Sequence, residues 1–196
     1  MSRRLRIAEQ LLERRINGLA VVAEAVRRRH NMSAVLRSAE GFGLNEAHMV
    51  CGHFRPSPGA SKGSERWLDL HLHENVRDCA AALKERGFKL YVCDLDEDAV
   101  APWEVPVEQP IALLFGSELV GVSEAAREVA DGFIKVPMLG VTQSLNVSAA
   151  AAVVLHEVAR RRAQVPGAIG ITGAPRDRLL ARVEEEEHIR RHVYYA

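Results

Sequence analysis

The sequence lacks any apolar run as long as the roughly 18 residues that a membrane-spanning helix requires. It also lacks, near its start, the charged segment, apolar segment and small-residue cleavage site of a secretory signal. We therefore expect a cytoplasmic protein without a membrane partner. Its 196 residues, of which 47% are apolar, suffice for one globular domain with its own hydrophobic core.

Cysteine is scarce as well. Three cysteines, Cys51, Cys79 and Cys93, are odd in number and widely separated, which excludes a disulfide framework and the usual zinc spacings. Metal-capable side chains stand close together in Cys51-Gly52-His53 and in His71-Leu72-His73. Because such pairs are more often ordinary strand and loop residues, we expect no metal.

Lysine is rare, whereas arginine is abundant. Of the 26 basic residues only four are lysine, and 26 acidic residues bring the net charge to zero. The planar guanidinium group suits phosphate, so clustered arginines can form a binding surface for nucleic acid. Solvated helix faces would give the same pattern, and this alternative stays open. The clusters comprise Arg3, Arg4, Arg6, Arg14 and Arg15, then Arg27 to Arg29, Arg160 to Arg162, and Arg190 with Arg191.

The apolar periodicity predicts strands that alternate with helices. This alternation indicates an α/β fold with a mostly parallel sheet that is covered by helices on both faces. Helices are expected at residues 3–16, 31–41, 75–86, 123–131, 146–163 and 175–194, and strands at residues 19–26, 47–51, 68–72, 88–94, 111–115 and 133–136.

The first candidate motif lies on the second predicted helix, which Asn31 can cap and which runs to Gly41. Arg37 falls one or two turns into this helix, on the side of Ser33 and away from the buried stripe. An arginine there can reach an anionic ligand. The alternative is an exposed helix arginine with a capping asparagine.

The second candidate motif follows the apolar strand that ends at Phe115. The strand leads directly into Gly116, Ser117 and Glu118. Ligands of open α/β sheets lie at the carboxyl ends of strands, and Gly116 would let a ligand approach the backbone closely. The alternative is an ordinary strand-to-turn exit with a solvated glutamate.

The third candidate motif is the polar loop between residues 136 and 148. It holds about nine residues, whereas a simple connection needs only a few. Gly140 permits a tight reversal, and Ser144 and Asn146 stand at the start of the long helix, where they can cap it or face a ligand.

In order and spacing the three segments resemble the motifs of the SpoU/TrmH class of RNA 2′-O-methyltransferases. The shared pattern is N-x5-R-x3-G, then F-G-x-E-x2-G, then V-P-M-x-G-x3-S-L-N-V-S, and the resemblance covers residues 17 to 165. It is strongest to the branch that methylates guanosine 18 of tRNA, which also has a basic N-terminal helix and a C-terminal helical extension.

The resemblance implies a SPOUT-type α/β knot, in which the C-terminal part forms a trefoil knot, and a homodimer. It divides the chain into a basic N-terminal helix (1–16), a methyltransferase domain (17–165) and a helical extension (166–196). The implied methyl donor is S-adenosylmethionine, with S-adenosylhomocysteine as product. The implied cofactor-binding residues are Cys93, Leu95, Phe115, Gly116, Ser117, Val136, Met138, Gly140, Ser144 and Leu145.

The catalytic residues implied by the resemblance include Arg37. A guanidinium stays protonated in proteins, so we expect Arg37 to hold a phosphate and stabilise the forming alkoxide rather than act as general base. The implied catalytic set is Asn31, Arg37, Glu118, Ser144 and Asn146. The residues expected to contact the RNA backbone are Arg3, Arg4, Arg6, Arg14, Arg66, Arg160, Arg161 and Arg162.

Three alternatives stay open at this stage: a ribosomal RNA or another tRNA position as substrate, a catalytically silent RNA-binding relative, and a nucleotide-dependent oxidoreductase. The last depends on the segment 41–46, which only half resembles a dinucleotide fingerprint and follows a helix. The chain also departs from its relatives, which usually have Lys-Pro-His-Asn at residues 28–31 and lysine at the positions of Arg66 and Leu119. These departures concern the identity of the RNA.

Overall fold

A computed structural model of the chain describes residues 2–24, 29–51, 55–117 and 121–194, without the side chains of residues 29 and 189–194. The described residues form six strands and seven α-helices. The strands are β1 (Ile16–Glu24), β2 (Leu44–Val50), β3 (Asp69–His73), β4 (Lys89–Cys93), β5 (Ile111–Phe115) and β6 (Gly132–Ile134). The helices are α1 (Arg3–Arg14), α2 (Arg29–Gly41), α3 (Pro58–Ser61), α4 (Val76–Glu85), α5 (Glu124–Val129), α6 (Val147–Arg162) and α7 (Ala174–Tyr194).

The six strands form one sheet in the order β3-β2-β1-β5-β4-β6, and every pair is parallel. Strands β1, β2 and β5 are buried along almost their whole length, as expected for a parallel sheet with helices on both faces. The α/β prediction is therefore confirmed. The trefoil knot stays a prediction.

Two hydrophobic cores lie on opposite faces of the sheet. Helices α2 and α6 cover one face, and α4 and α5 cover the other. Successive residues of β1 alternate between them: Val21 packs into the first core and Val22 into the second. Since both faces are occupied, ligands have room chiefly at the ends of the strands.

A third, smaller core joins the two ends of the described chain. Ala8 and Leu12 of α1 pack against Leu179 and Val183 of α7. The basic helix and the C-terminal extension thus share one core. The resemblance had predicted them as two separate units. The boundaries predicted at residues 16 and 165 stay predictions.

Most predicted elements are present, although their bounds often differ by a few residues and two segments differ in kind. Helix α2 already begins at Arg29, so Asn31 lies inside the helix and is buried, not at its cap as predicted. The stretch predicted as a loop at 52–63 contains the short helix α3, which ends where Lys62 adopts a left-handed conformation.

None of the helices in the described part of the chain is long and apolar enough to cross a membrane.

Candidate functional site

A cleft of about 490 Å³ opens where strands β4, β5 and β6 end, beside the start of α6. Two of the three sequence motifs meet there because parallel strands present their carboxyl ends at the same edge. Of the predicted cofactor-binding residues, Gly140 does not line the cleft. The other nine do: Cys93, Leu95, Phe115, Gly116, Ser117, Val136, Met138, Ser144 and Leu145.

The predicted catalytic and cofactor-binding sets leave out eight further lining residues. Several of them are chain neighbours of predicted residues, so the extent of the motifs was the only sequence signal for them. Val122 and Ala150 belong to elements that approach the cleft only in the fold. The eight residues are Asp94, Gly121, Val122, Ile134, Lys135, Gln143, Val147 and Ala150.

Gly116 is required by the chain itself. A Cβ atom at this position would lie 2.4 Å from the carbonyl oxygen of Gly121 and 2.7 Å from the backbone nitrogen of Val122. The Ser117 N–H donates to the Gly121 carbonyl (2.9 Å), and the Gly121 N–H donates to the Ser117 carbonyl (2.8 Å). The glycine therefore allows two backbone segments to pack closely, which explains it better than the predicted close approach of a ligand.

A buried carboxylate supports this wall of the cleft from behind. Glu24, at the end of β1, is 6% exposed and accepts hydrogen bonds from the Ser123 N–H (3.0 Å) and the Ser123 hydroxyl (2.6 Å). Ser123 also caps α5 by accepting from the Ala126 N–H. Glu24 thereby fixes the start of α5 directly after the lining residue Val122. Its role depends on a contact across 99 residues, which sequence periodicity does not reveal.

The β4 side of the cleft carries an ion pair and a neutral thiol. Asp94 accepts a hydrogen bond from the Leu95 N–H (2.8 Å) and pairs with Arg127, which also lies 3.7 Å from Asp96. Burial raises the pKa of the Cys93 thiol to about 12. Cys93 is therefore protonated at neutral pH and suits apolar contact rather than nucleophilic chemistry.

Helix α6 begins at the cleft, and Asn146 is its cap. The Asn146 side-chain oxygen accepts from the Ser148 N–H (2.9 Å) and from the Ser148 hydroxyl (2.6 Å). Asn146 also lines the cleft, so both roles considered from the sequence apply to it. Ser144 lines the cleft and is exposed. The helix N-terminus favours negative charge at this edge.

Asn31 and Arg37 do not line this cleft. Both lie on α2, which packs against α6. The Arg37 side chain is exposed and makes no ion pair with the described residues. Asn31 is 8% exposed, and its amide nitrogen has no hydrogen-bond partner in the described part of the chain. Glu118 lies outside the described residues.

The arginines predicted to bind RNA fall into three groups. Arg3, Arg6 and Arg14 form one exposed stripe of α1, and Arg66 is also exposed. Two others have acidic partners: Arg4 pairs with Glu186 (2.8 Å), and the exposed Arg160 pairs with Glu157 (2.8 Å).

The third group, Arg161 and Arg162, donates to backbone carbonyls of the chain itself, which corrects the prediction for Arg162. Arg162 is 7% exposed and donates to the carbonyls of Asn17 (3.1 Å), Val107 (2.7 Å) and Glu108 (2.9 Å). Arg161 is partly buried and donates to the Val105 carbonyl (2.7 Å). Burial and backbone contacts withdraw Arg162 from any RNA surface, and both residues hold α6 to the loop before β5.

Comparison with known proteins defines the class of this chain. Residues 18–156 match the SpoU rRNA Methylase family, and the chain belongs to that family. It is 47% identical over 167 residues to the tRNA (guanosine(18)-2′-O)-methyltransferase of Thermus thermophilus, covering 82% of this chain and 84% of that relative.

Solved structures agree with this assignment. The A. aeolicus TrmH/SpoU tRNA modifying enzyme superposes with a TM-score of 0.83 at 30% identity, over 94% of this chain and 96% of that chain. The SpoU methyltransferase AviRb from Streptomyces viridochromogenes, in complex with the cofactor AdoMet, gives a TM-score of 0.65 at 26% identity, over 80% and 62% of the two chains.

Proposed function

We propose that this chain is an S-adenosylmethionine-dependent enzyme that methylates the ribose 2′-hydroxyl of guanosine 18 in tRNA. The observation that carries the proposal is the cleft at the ends of β4, β5 and β6, which two family motifs line. The T. thermophilus relative is named for this activity, and AviRb was solved with AdoMet bound. An enzyme acting on tRNA also agrees with the cytoplasmic location expected from the sequence.

The cleft suits S-adenosylmethionine in size and lining. Its volume of about 490 Å³ lies within the range of about 300–1,000 Å³ common for small-molecule sites. Met138, Leu145 and Ile134 supply apolar surface, and Ser117 and Asn146 supply polar groups. When bound, S-adenosylmethionine supplies an activated methyl group, and S-adenosylhomocysteine remains after transfer.

The protein's contribution to methyl transfer is positioning and charge. Ser144 and Asn146 line the cleft, where each can hydrogen-bond the cofactor or the nucleotide, and Asn146 also caps α6. Arg37 binds the phosphate beside the target ribose and stabilises the developing alkoxide, since its guanidinium stays cationic. Asn31, whose buried amide nitrogen has no hydrogen-bond partner among the described residues, orients Arg37 or the ribose. No metal enters this scheme.

A homodimer would complete the site. Leu139 and Val141 are fully exposed, and Leu145 and Val153 are 38% and 45% exposed. The first three belong to the loop at the cleft and Val153 to α6, and a second copy of the chain would cover them. Because Arg37 does not line the cleft of its own chain, we propose that it acts in the cleft of the partner subunit.

Complementation between inactive protomers tests this arrangement. An Arg37→Ala chain and a Gly116→Val chain should each be inactive, the latter because its cleft cannot form. In a mixed dimer the Gly116→Val chain supplies an intact Arg37 to the intact cleft of the Arg37→Ala chain. Mixed dimers should therefore regain methyl transfer. If mixing restores nothing although an affinity tag on one chain recovers the other chain with it, Arg37 serves its own subunit. A purely monomeric protein would exclude the shared site.

The proposed activity is tested by methyl transfer from labelled S-adenosylmethionine to tRNA transcripts, followed by mapping of the label. We expect one label at the 2′-oxygen of guanosine 18. A tRNA carrying 2′-deoxyguanosine at that position is the matched control and should accept none. Label in ribosomal RNA alone would move the enzyme to another substrate, and cofactor binding without transfer to either RNA would contradict the assignment.

A further inference from the structure

A cluster of histidines lies at the β2–β3 edge of the sheet, away from the cleft. Strands β2 and β3 pair in parallel with His48 opposite His71 and Val50 opposite His73. Residues two apart share a face of a strand, so Glu46, His48, His71 and His73 lie on the same face. Helix α4 covers this face and places Cys79 beside the histidines.

Three of these side chains converge on one point. The His48 Nδ1 and His73 Nε2 atoms are 2.9 Å apart, and one ligand nitrogen from each histidine and the Cys79 Sγ atom all lie within 4.8 Å of one another. Histidine nitrogen and cysteine sulfur are the usual donors to zinc. With bond lengths of about 2.0–2.3 Å, tetrahedral ligands stand roughly 3.3–3.6 Å apart. Small side-chain shifts would therefore bring the three atoms to coordination distance.

The surroundings orient His48 as a metal ligand requires. Its Nε2 atom lies 3.3 Å from a Glu46 carboxylate oxygen, and Arg86 donates to both Glu46 oxygens (2.7 and 2.9 Å). Although burial acts to raise it, hydrogen bonds from His48 and Arg86 lower the pKa of Glu46 to about 2. The ionised carboxylate accepts the Nε2 proton, which leaves the Nδ1 lone pair facing His73 and Cys79. Such carboxylate–histidine pairs commonly support bound metals.

Without a bound ion the two imidazole rings are neutral, and the thiol keeps its proton. Burial lowers the pKa of His48 and of His73, so both rings are neutral near neutral pH. Burial raises the pKa of the Cys79 thiol to about 12. A bound divalent ion would supply the positive charge that stabilises the buried thiolate.

A second grouping, of Glu46, His48 and His71, also brings ligand atoms together. It is the weaker candidate because the Arg86 guanidinium already binds both Glu46 oxygens. A cation bound there would stand next to this positive charge. In the grouping around Cys79 the ion would bind the Nδ1 atom of His48, whereas Glu46 lies at the Nε2 atom of the same ring.

We propose that His48 Nδ1, His73 Nε2 and Cys79 Sγ form a binding site for a zinc-class divalent cation, with water as fourth ligand. On binding, the Cys79 thiol proton passes to solvent, and the His73 ring proton moves from Nε2 to Nδ1. The ion ties edge strand β3 to β2 and α4. It has a structural role and takes no part in methyl transfer.

Cobalt(II) titration of the full-length chain, first freed of metal with a chelator, tests the site. We expect one equivalent to give a thiolate-to-cobalt charge-transfer band that zinc abolishes. Cys79→Ser should lose the band, and His73→Ala should not bind cobalt at concentrations that saturate the wild type. Glu46→Gln, which keeps the side-chain shape, should bind about 10- to 100-fold more weakly.

Two matched controls separate the alternatives. Cys93→Ser removes the thiol in the cleft and should keep the band. His71→Phe removes the neighbouring imidazole, keeps a ring against His48, and should also keep it. The proposal is overturned if the wild type gives no band. It is also overturned if the band is lost in Cys93→Ser. Cobalt binding that shows no thiolate band, persists in Cys79→Ser and is lost in His71→Phe would assign the ion to the second grouping and overturn the proposal. Zinc-dependent stabilisation of the wild type against thermal unfolding is expected too, and does not depend on the folding of any variant.

Discussion

The exposed arginines of α1 and Arg162 at the end of α6 look alike in the sequence, but the fold gives them opposite environments. Arg3, Arg6 and Arg14 project from one exposed stripe of α1. Arg162 lies in the interior and donates to three backbone carbonyls. Gly18 makes room for it, since a Cβ there would lie 2.7 Å from its guanidinium. A cluster of like residues therefore does not define one function.

The same contrast occurs between two consecutive residues. Arg14 is exposed, whereas Arg15 is 2% exposed and donates to the Leu44 carbonyl (2.9 Å) and to Glu40 (3.2 Å). The chain leaves α1 at this point and enters β1, so neighbouring side chains turn in opposite directions. Arginine can replace apolar residues in a core when its donors meet backbone carbonyls. Exposed arginines without acidic partners remain free for phosphate.

The largest expected effect concerns Arg37, which is exposed but which we place in catalysis. Arg37→Ala should reduce methyl transfer by about 10²- to 10³-fold, the usual consequence of losing one charge-stabilising donor. Cofactor affinity and thermal stability should stay unchanged, because Arg37 neither lines the cleft nor makes an ion pair with the described residues. Single-turnover kinetics with labelled cofactor measure the loss. The exposed Arg77→Ala is the control, and full turnover by Arg37→Ala would exclude it from the mechanism.

The next effect is on stability. Arg162→Ala should lower the free energy of unfolding by about 2–3 kcal/mol, because buried carbonyls lose a charged donor. Urea denaturation measures this loss, and RNA affinity per folded molecule should not change. Arg160→Ala, two residues earlier and exposed, should leave the unfolding midpoint nearly constant. Weaker RNA binding at unchanged stability in Arg162→Ala would reverse the assignment.

The smallest effect is expected on the exposed stripe of α1. Changing Arg3, Arg6 and Arg14 together to glutamine should weaken tRNA binding without loss of stability. The slope of log affinity against log salt should fall by about 0.7–0.9 for each lost phosphate contact. Fluorescence anisotropy at several salt concentrations measures the slope, with Arg77→Gln as the control. An unchanged slope would make the stripe merely solvated surface.

Much of the fold could be predicted because its information is local. The apolar run at 111–115 and the alternation of strand and helix signals indicate a parallel α/β sheet. The cleft lies at the carboxyl ends of the strands, where such sheets bind ligands. The cap at Asn146 also follows from local chemistry. The helix start at Arg29 was missed because a capping-type residue, Asn31, follows it in the chain.

The rest depends on contacts between distant residues. Glu24 binds Ser123, and Arg162 binds Asn17, across 99 and 145 residues. His48 and His73 meet only because β2 and β3 pair in register. Local patterns do not encode such pairings, so buried polar residues were misassigned or overlooked. Gly116 is a local case, since its close neighbour is the backbone of Gly121, five residues later in the chain.

The packing of α1 against α7 has a consequence for the order of folding during synthesis. The contact between Arg4 and Glu186 spans 182 residues, so α1 leaves the ribosome long before its partner exists. Until then Ala8 and Leu12 have no α7 side chains to cover them. Contacts of such sequence separation form late and slowly. The basic segment of α1 therefore keeps its apolar side without the α7 partner until nearly the whole described chain has been synthesised.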